Sequence, residues 1–125
     1  MGVDAVAEAR RLAPRFAARA AAHDRDGSFP VDDFADLRQS GLFGLLVPEH
    51  LGGLGAGFAD YAAVAYELAR GNGATALVFN MHASVTGALS GVTDELAEAL
   101  GLPPEALQAR DDYLRAAANG SWYAV

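Results

Sequence analysis

One stretch of the sequence restricts the fold more than any other. Residues 74–90 carry no charged side chain, and Leu77, Val78, Phe79, Met81, Val85 and Leu89 fall all around a helix with about 3.6 residues per turn. A helix without a polar face belongs at the centre of a bundle, with neighbours on every side. It is too short to be a membrane span, which needs about 20 apolar residues, and no run in the chain reaches that length. Its few polar residues, Thr75, Asn80, His82, Ser84 and Thr86, therefore need partners inside the protein.

The rest of the chain supplies those neighbours. Residues 4–22 predict a first helix with Val6, Ala9, Ala13, Phe16 and Ala20 on one stripe, and Pro14 should kink or break it. A polar turn follows from His23 to Ser28. A short second helix starts at Pro30, with Asp32 and Asp33 in its first turn and a stop at Gly41. Residues 42–50 are apolar, contain Gly44 and Pro48, and read as a buried extended connection leading into a loop with four glycines, residues 51–57. Residues 58–70 predict a third helix with Tyr61, Val64, Ala65 and Leu68 on one face, broken at Gly71-Asn72-Gly73. After the apolar helix, Thr93 caps a short fifth helix ending at Gly101, and Pro103-Pro104 starts a sixth that places Leu107 and Leu114 inward and stops at Gly120. The fold class is all-α, a bundle of about six helices. Residues 121–125 read instead as a strand, an unsuitable end for a helical domain.

Composition agrees. Of 125 residues 52% are hydrophobic, but 28 are alanine, which favours helix more than it adds core volume. All nine cations are arginine and scattered, and the net charge of -7 disfavours nucleic acid as a partner. Without cysteine there is neither a disulfide frame nor a zinc-thiolate site. Met1-Gly2-Val3-Asp4 opens no secretory signal, so a cytoplasmic location is expected.

Few residues form a pattern that carries chemistry. Gly53-x-Gly55-x-Gly57 lacks the dinucleotide spacing and reads as a turn. The histidines, His23, His50 and His82, have no metal-ligand spacing, and no metal site is expected. His23 and His50 lie in polar loops. His82 lies on the apolar helix and is either a core histidine donating to a backbone carbonyl or a residue facing a pocket. Glu67 is best read as partly buried and paired with Arg70 or Arg38. No nucleophile elbow is present.

Three stretches together carry a resemblance. They are Ser28-Phe29-Pro30 through Leu37 to Ser40-Gly41-Leu42; Val47-Pro48-Glu49-His50-Leu51-Gly52-Gly53-Leu54-Gly55; and Glu67-Leu68-Ala69-Arg70 leading to Met81-His82. In that order and spacing the chain resembles the N-terminal helical domain of the acyl-CoA dehydrogenase family, over nearly its whole length. The resemblance implies a flavoprotein oxidoreductase in three parts, with a middle β-domain and a C-terminal helical bundle, assembled as a dimer or tetramer. It implies that FAD oxidises the α,β bond of an acyl-CoA or acyl-carrier-protein thioester while a glutamate takes the α-proton. It also implies that the base and most flavin contacts lie outside this chain, so no catalytic residue is expected here and the chain alone should be inactive. Residues 1–119 would be the helical domain, and 120–125 the opening strand of an absent β-domain.

The same resemblance places Ala76, Leu77, Asn80 and Ser84 towards the substrate, as a wall of the acyl pocket. The spacing of 77, 80 and 84 independently puts those three on one helical face. Some relatives of the same fold are flavin-dependent monooxygenases or N-hydroxylases, and His82, near Phe79 and Asn80, would suit a pocket of that kind. A third reading is a non-catalytic helical interaction module.

Overall fold

A computed structural model of the chain describes residues 4–123. Six α-helices follow in order: α1 (Ala5–Asp26), α2 (Val31–Ser40), α3 (Phe58–Gly71), α4 (Gly73–Gly91), α5 (Asp94–Ala99) and α6 (Pro104–Ala118). The expected all-α bundle is present. No strand occurs among the described residues. Residues 121–123 adopt no regular element, having no neighbouring strand to pair with, and the rest of the expected strand, Ala124 and Val125, lies outside the described residues.

Local chemistry sets several helix ends. Asp4 caps α1 by accepting from Ala7 N, Asn72 caps α4 by accepting from Ala74 N and Thr75 N, and Thr93 caps α5 by accepting from Leu96 N. Gly41 closes α2 at φ 82°. Asn72 alone separates α3 from α4, and Gly71 still belongs to α3.

Two expectations about the course of the backbone before α3 also need correction. First, α1 is continuous through Pro14 and extends to Asp26, taking in His23. Proline removes one helical hydrogen bond, but Ala9, Leu12 and Phe16 are fully buried, and tertiary packing holds the helix across the gap. Second, the connection after α2 is not extended. It forms two 3₁₀ turns, Leu42–Gly44 and Glu49–Leu51. The left-handed Gly41 turns the chain so that Gly44 N reaches Gly41 O at 3.0 Å and Leu45 N reaches Leu42 O at 3.1 Å. The glycine loop then folds back on these turns, with Leu54 N on Gly44 O, Gly55 N on Val47 O and Ala56 N on Leu45 O, each within 2.9 Å. The glycines serve that return: a Cβ at Gly53 would stand 2.2 Å from Val47 O.

The main core gathers Leu12, Phe16, Leu37, Phe43, Leu68 and Phe79 from α1, the turns, α2, α3 and α4. A smaller cluster joins Val47 and Leu51 to Leu114 and Ala117 of α6. No helix among the described residues is long and apolar enough to cross a membrane.

Candidate functional site

The inner side of α4 is fully occupied. Thr75 Oγ1 donates to Asp33 Oδ2 at 2.8 Å, and Asp33 also takes Arg19 Nη1 at 3.0 Å. Thr86 Oγ1 turns back to His82 O at 3.2 Å. His82 is only 1% exposed, and both ring nitrogens have partners. Its Nε2 lies 2.7 Å from Phe43 O, a carbonyl that can only accept, so Nε2 carries the hydrogen. Its Nδ1 accepts from Tyr123 N at 3.0 Å. Burial holds this imidazole below its ordinary pKa, partly offset by the bond to Phe43.

The outer side is different. Leu77 is 58% exposed, and Ser84 and Ala88 are exposed on the same side. The apolar helix is therefore covered on one side only, against the expectation that it would be enclosed. A groove of about 440 Å³ runs beside it. One wall is Ala83, Ser84, Gly87 and Ala88 of α4; the other is Leu46, Ala56, Phe58 and Tyr61. Ser90 Oγ donates to Leu46 O at 2.7 Å and pins the far wall to the helix. A Cβ at Gly87 would stand 3.2 Å from Leu46 Cδ1, so glycine keeps the groove open there. At its head Tyr61 donates to Asn80 Oδ1 at 2.7 Å, and burial raises the phenol's pKa and keeps it protonated. Ser84 Oγ donates to Asn80 O at 2.9 Å, so this hydroxyl proton is used within the helix.

Of the residues expected to face substrate, Ser84 lines this groove and Asn80 borders it through Tyr61. Leu77 lies on the same open face. Ala76 is buried, and His82 stands behind the wall, bonded to Phe43 and Tyr123. Sequence reasoning missed Tyr61, Leu46 and Gly87 as lining residues. Gly87 had a signal, a glycine inside an apolar helix, where alanine would be favoured by about 1 kcal/mol. His50 is exposed, and His23 Nδ1 lies 2.8 Å from Ser28 Oγ. Glu67 pairs with Arg10 at 3.1 Å and Arg70 at 3.3 Å, not with Arg38, which binds Gly120 O.

Comparison with known proteins adds the family. Residues 4–101 match the family described as acyl-CoA dehydrogenase, N-terminal domain. An L-evernosamine nitrososynthase of Micromonospora sp. is 38% identical over 86% of this chain and 24% of its own length. A probable FMNH2-dependent monooxygenase of Pseudomonas putida is 42% identical over 62% of this chain and 20% of its own. A putative acyl-CoA dehydrogenase of Bacillus subtilis is 38% identical over 63% of this chain and 21% of its own. The chain thus spans less than a quarter of the length of each of these relatives. No solved structure matches it.

Proposed function

The chain belongs to the acyl-CoA dehydrogenase N-terminal domain family, and on that premise we propose that it forms the substrate-side wall of a flavin-dependent oxidoreductase. The observation that carries this is the half-covered α4: an apolar helix that leaves Leu77, Ser84 and Ala88 open beside an apolar groove. Leu77, Asn80 and Ser84 contact substrate in this reading, while Ala76 and His82 shape the wall from behind. Residues 1–119 are the helical domain, and 120–125 lead into a middle β-domain.

The groove does not suit a whole flavin. No charged side chain lines it, so nothing there would hold a flavin phosphate. It suits an uncharged ring or chain. The flavin, and any glutamate base, would then be held by other parts of a longer protein, which the resemblance expects to be a homo-oligomer.

Two reactions are compatible with such a wall. The nitrososynthase, 38% identical over 86% of the chain, and the FMNH2-dependent monooxygenase favour oxygenation. In that reaction reduced flavin and O2 give oxygenated substrate, water and oxidised flavin. The putative dehydrogenase supports the second reading, FAD-dependent oxidation of an acyl thioester. This order reverses the one that the family pattern alone suggests. Assay of the full-length protein separates them. Oxygen-dependent turnover with reduced flavin supports the first reading. Turnover of acyl-CoA with an artificial electron acceptor, without oxygen, would replace it with the second.

A further inference from the structure

The stretch after α6 returns to the core and is tied there at several points. Arg38 Nε donates to Gly120 O at 3.1 Å. Trp122 lies against three aromatic rings, 4.8 Å from Phe34, 6.1 Å from Phe29 and 6.5 Å from Phe43 between centroids. Tyr123 OH donates to Tyr113 O at 2.8 Å, and Tyr123 N donates to His82 Nδ1. The same imidazole donates through Nε2 to Phe43 O. One ring thus joins three elements: α4, the turn Leu42–Gly44 and residues 121–123.

We propose that His82 is the latch of a pH-sensitive clasp: neutral, it holds residues 121–123 against the core, and protonation releases them.

The geometry requires the neutral ring. Its two nitrogens have opposite tasks, one donating and one accepting, which only the Nε2–H tautomer performs. A proton added at Nδ1 would point at the Tyr123 N–H, donor against donor. The resulting cation would be buried among Phe43, Phe79 and the stacked ring of Tyr123. No carboxylate contacts the ring among the described residues. From the stretch after α6 the ring faces Tyr123, and behind Tyr123 on α6 stand Tyr113 and the exposed Asp112. From α2 the charged groups on this side are Arg38, engaged with Gly120 O, and Asp33, bound to Thr75 and Arg19. On the turn Glu49–Leu51, Glu49 and His50 are exposed.

The sign follows. The clasped ring resists protonation, whereas a released, hydrated ring takes a proton near the ordinary imidazole value of 6.5. The clasp is at full strength above that pH. Below it, release gains up to about tenfold in population per pH unit, until the clasped ring itself protonates.

Trp122 is the chain's single tryptophan and reports directly on this stretch. In the 125-residue chain, lowering the pH from about 7.5 to about 5 should shift Trp122 emission to the red and remove its protection from acrylamide, with far-UV circular dichroism unchanged. His82→Gln should abolish the transition, because an amide can donate to Phe43 and accept from Tyr123 without titrating. His50→Gln should retain it. A transition that survives His82→Gln, or a wild-type Trp122 that stays protected while folded at low pH, would overturn the clasp. Imidazole nitrogen NMR of the wild type provides the check if His82→Gln does not fold. A hydrogen on Nε2 at neutral pH and a Tyr123 amide that shifts with His82 titration support the proposal; a hydrogen on Nδ1 would refute it.

Discussion

Asp33 shows how much one side chain can hold. It is fully buried, yet its carboxylate is satisfied by Thr75 from α4 and Arg19 from α1. Arg19 also reaches Asp36 at 2.9 Å, and Arg15 adds a longer contact of 3.4 Å to Asp36. These carboxylates raise the pKa of Arg19 through hydrogen bonds and keep it charged. Removing one member of a buried pair costs more than the pair contributes, because its partner is left unmatched. Asp33→Asn should therefore destabilise the chain by about 3 kcal/mol in urea unfolding. Asp36→Asn, nearer to solvent, should cost about 1 kcal/mol. Equal losses would remove the distinction. The sequence shows Asp33 only as a first-turn acid favoured by the helix dipole. Its real partners lie 14 and 42 residues away, and no local pattern encodes them.

At the scale of elements, contact between α1 and α3 depends on Gly71. A Cβ there would stand 2.5 Å from Ala13 O and 2.9 Å from Phe16 Cβ. Neither can withdraw, since one is backbone and the other belongs to a fully buried ring. Gly71→Ala should cost about 2 kcal/mol by overpacking, read by urea or thermal unfolding. Gly91→Ala, with nothing within 4 Å, should be within about 0.5 kcal/mol of neutral or slightly stabilising. If the two variants behaved alike, helix propensity rather than close approach would explain Gly71. Elements with local signals were legible: the Thr93 cap, the Gly41 stop and the Pro104 start all stand where their chemistry puts them. Pro14 misled because propensity is local while the packing of Leu12 and Phe16 is not. Residues 42–50 misled because apolar runs with glycine suit a strand and a 3₁₀ turn alike.

For the whole molecule, α4 is the element whose environment the sequence could not define. Its all-round apolar character was legible, and so was the grouping of Leu77, Asn80 and Ser84 on one face. Which side its own neighbours cover was not, because burial is decided by helices whose relative placement no periodicity records. The outcome is a groove with two walls and an open side. A site that binds a small molecule tightly encloses about 70–90% of its surface. This groove cannot do that, and its lining carries no charge for a phosphate. If the proposed division of labour holds, the 125-residue chain should bind neither FAD nor acyl-CoA in the micromolar range, as followed by flavin fluorescence and calorimetry. The fold of the chain, followed by circular dichroism in the same samples, should remain intact, so that weak binding reflects an incomplete pocket and not an unfolded chain. Micromolar FAD binding by the folded chain would place the flavin cradle within these residues and overturn the division.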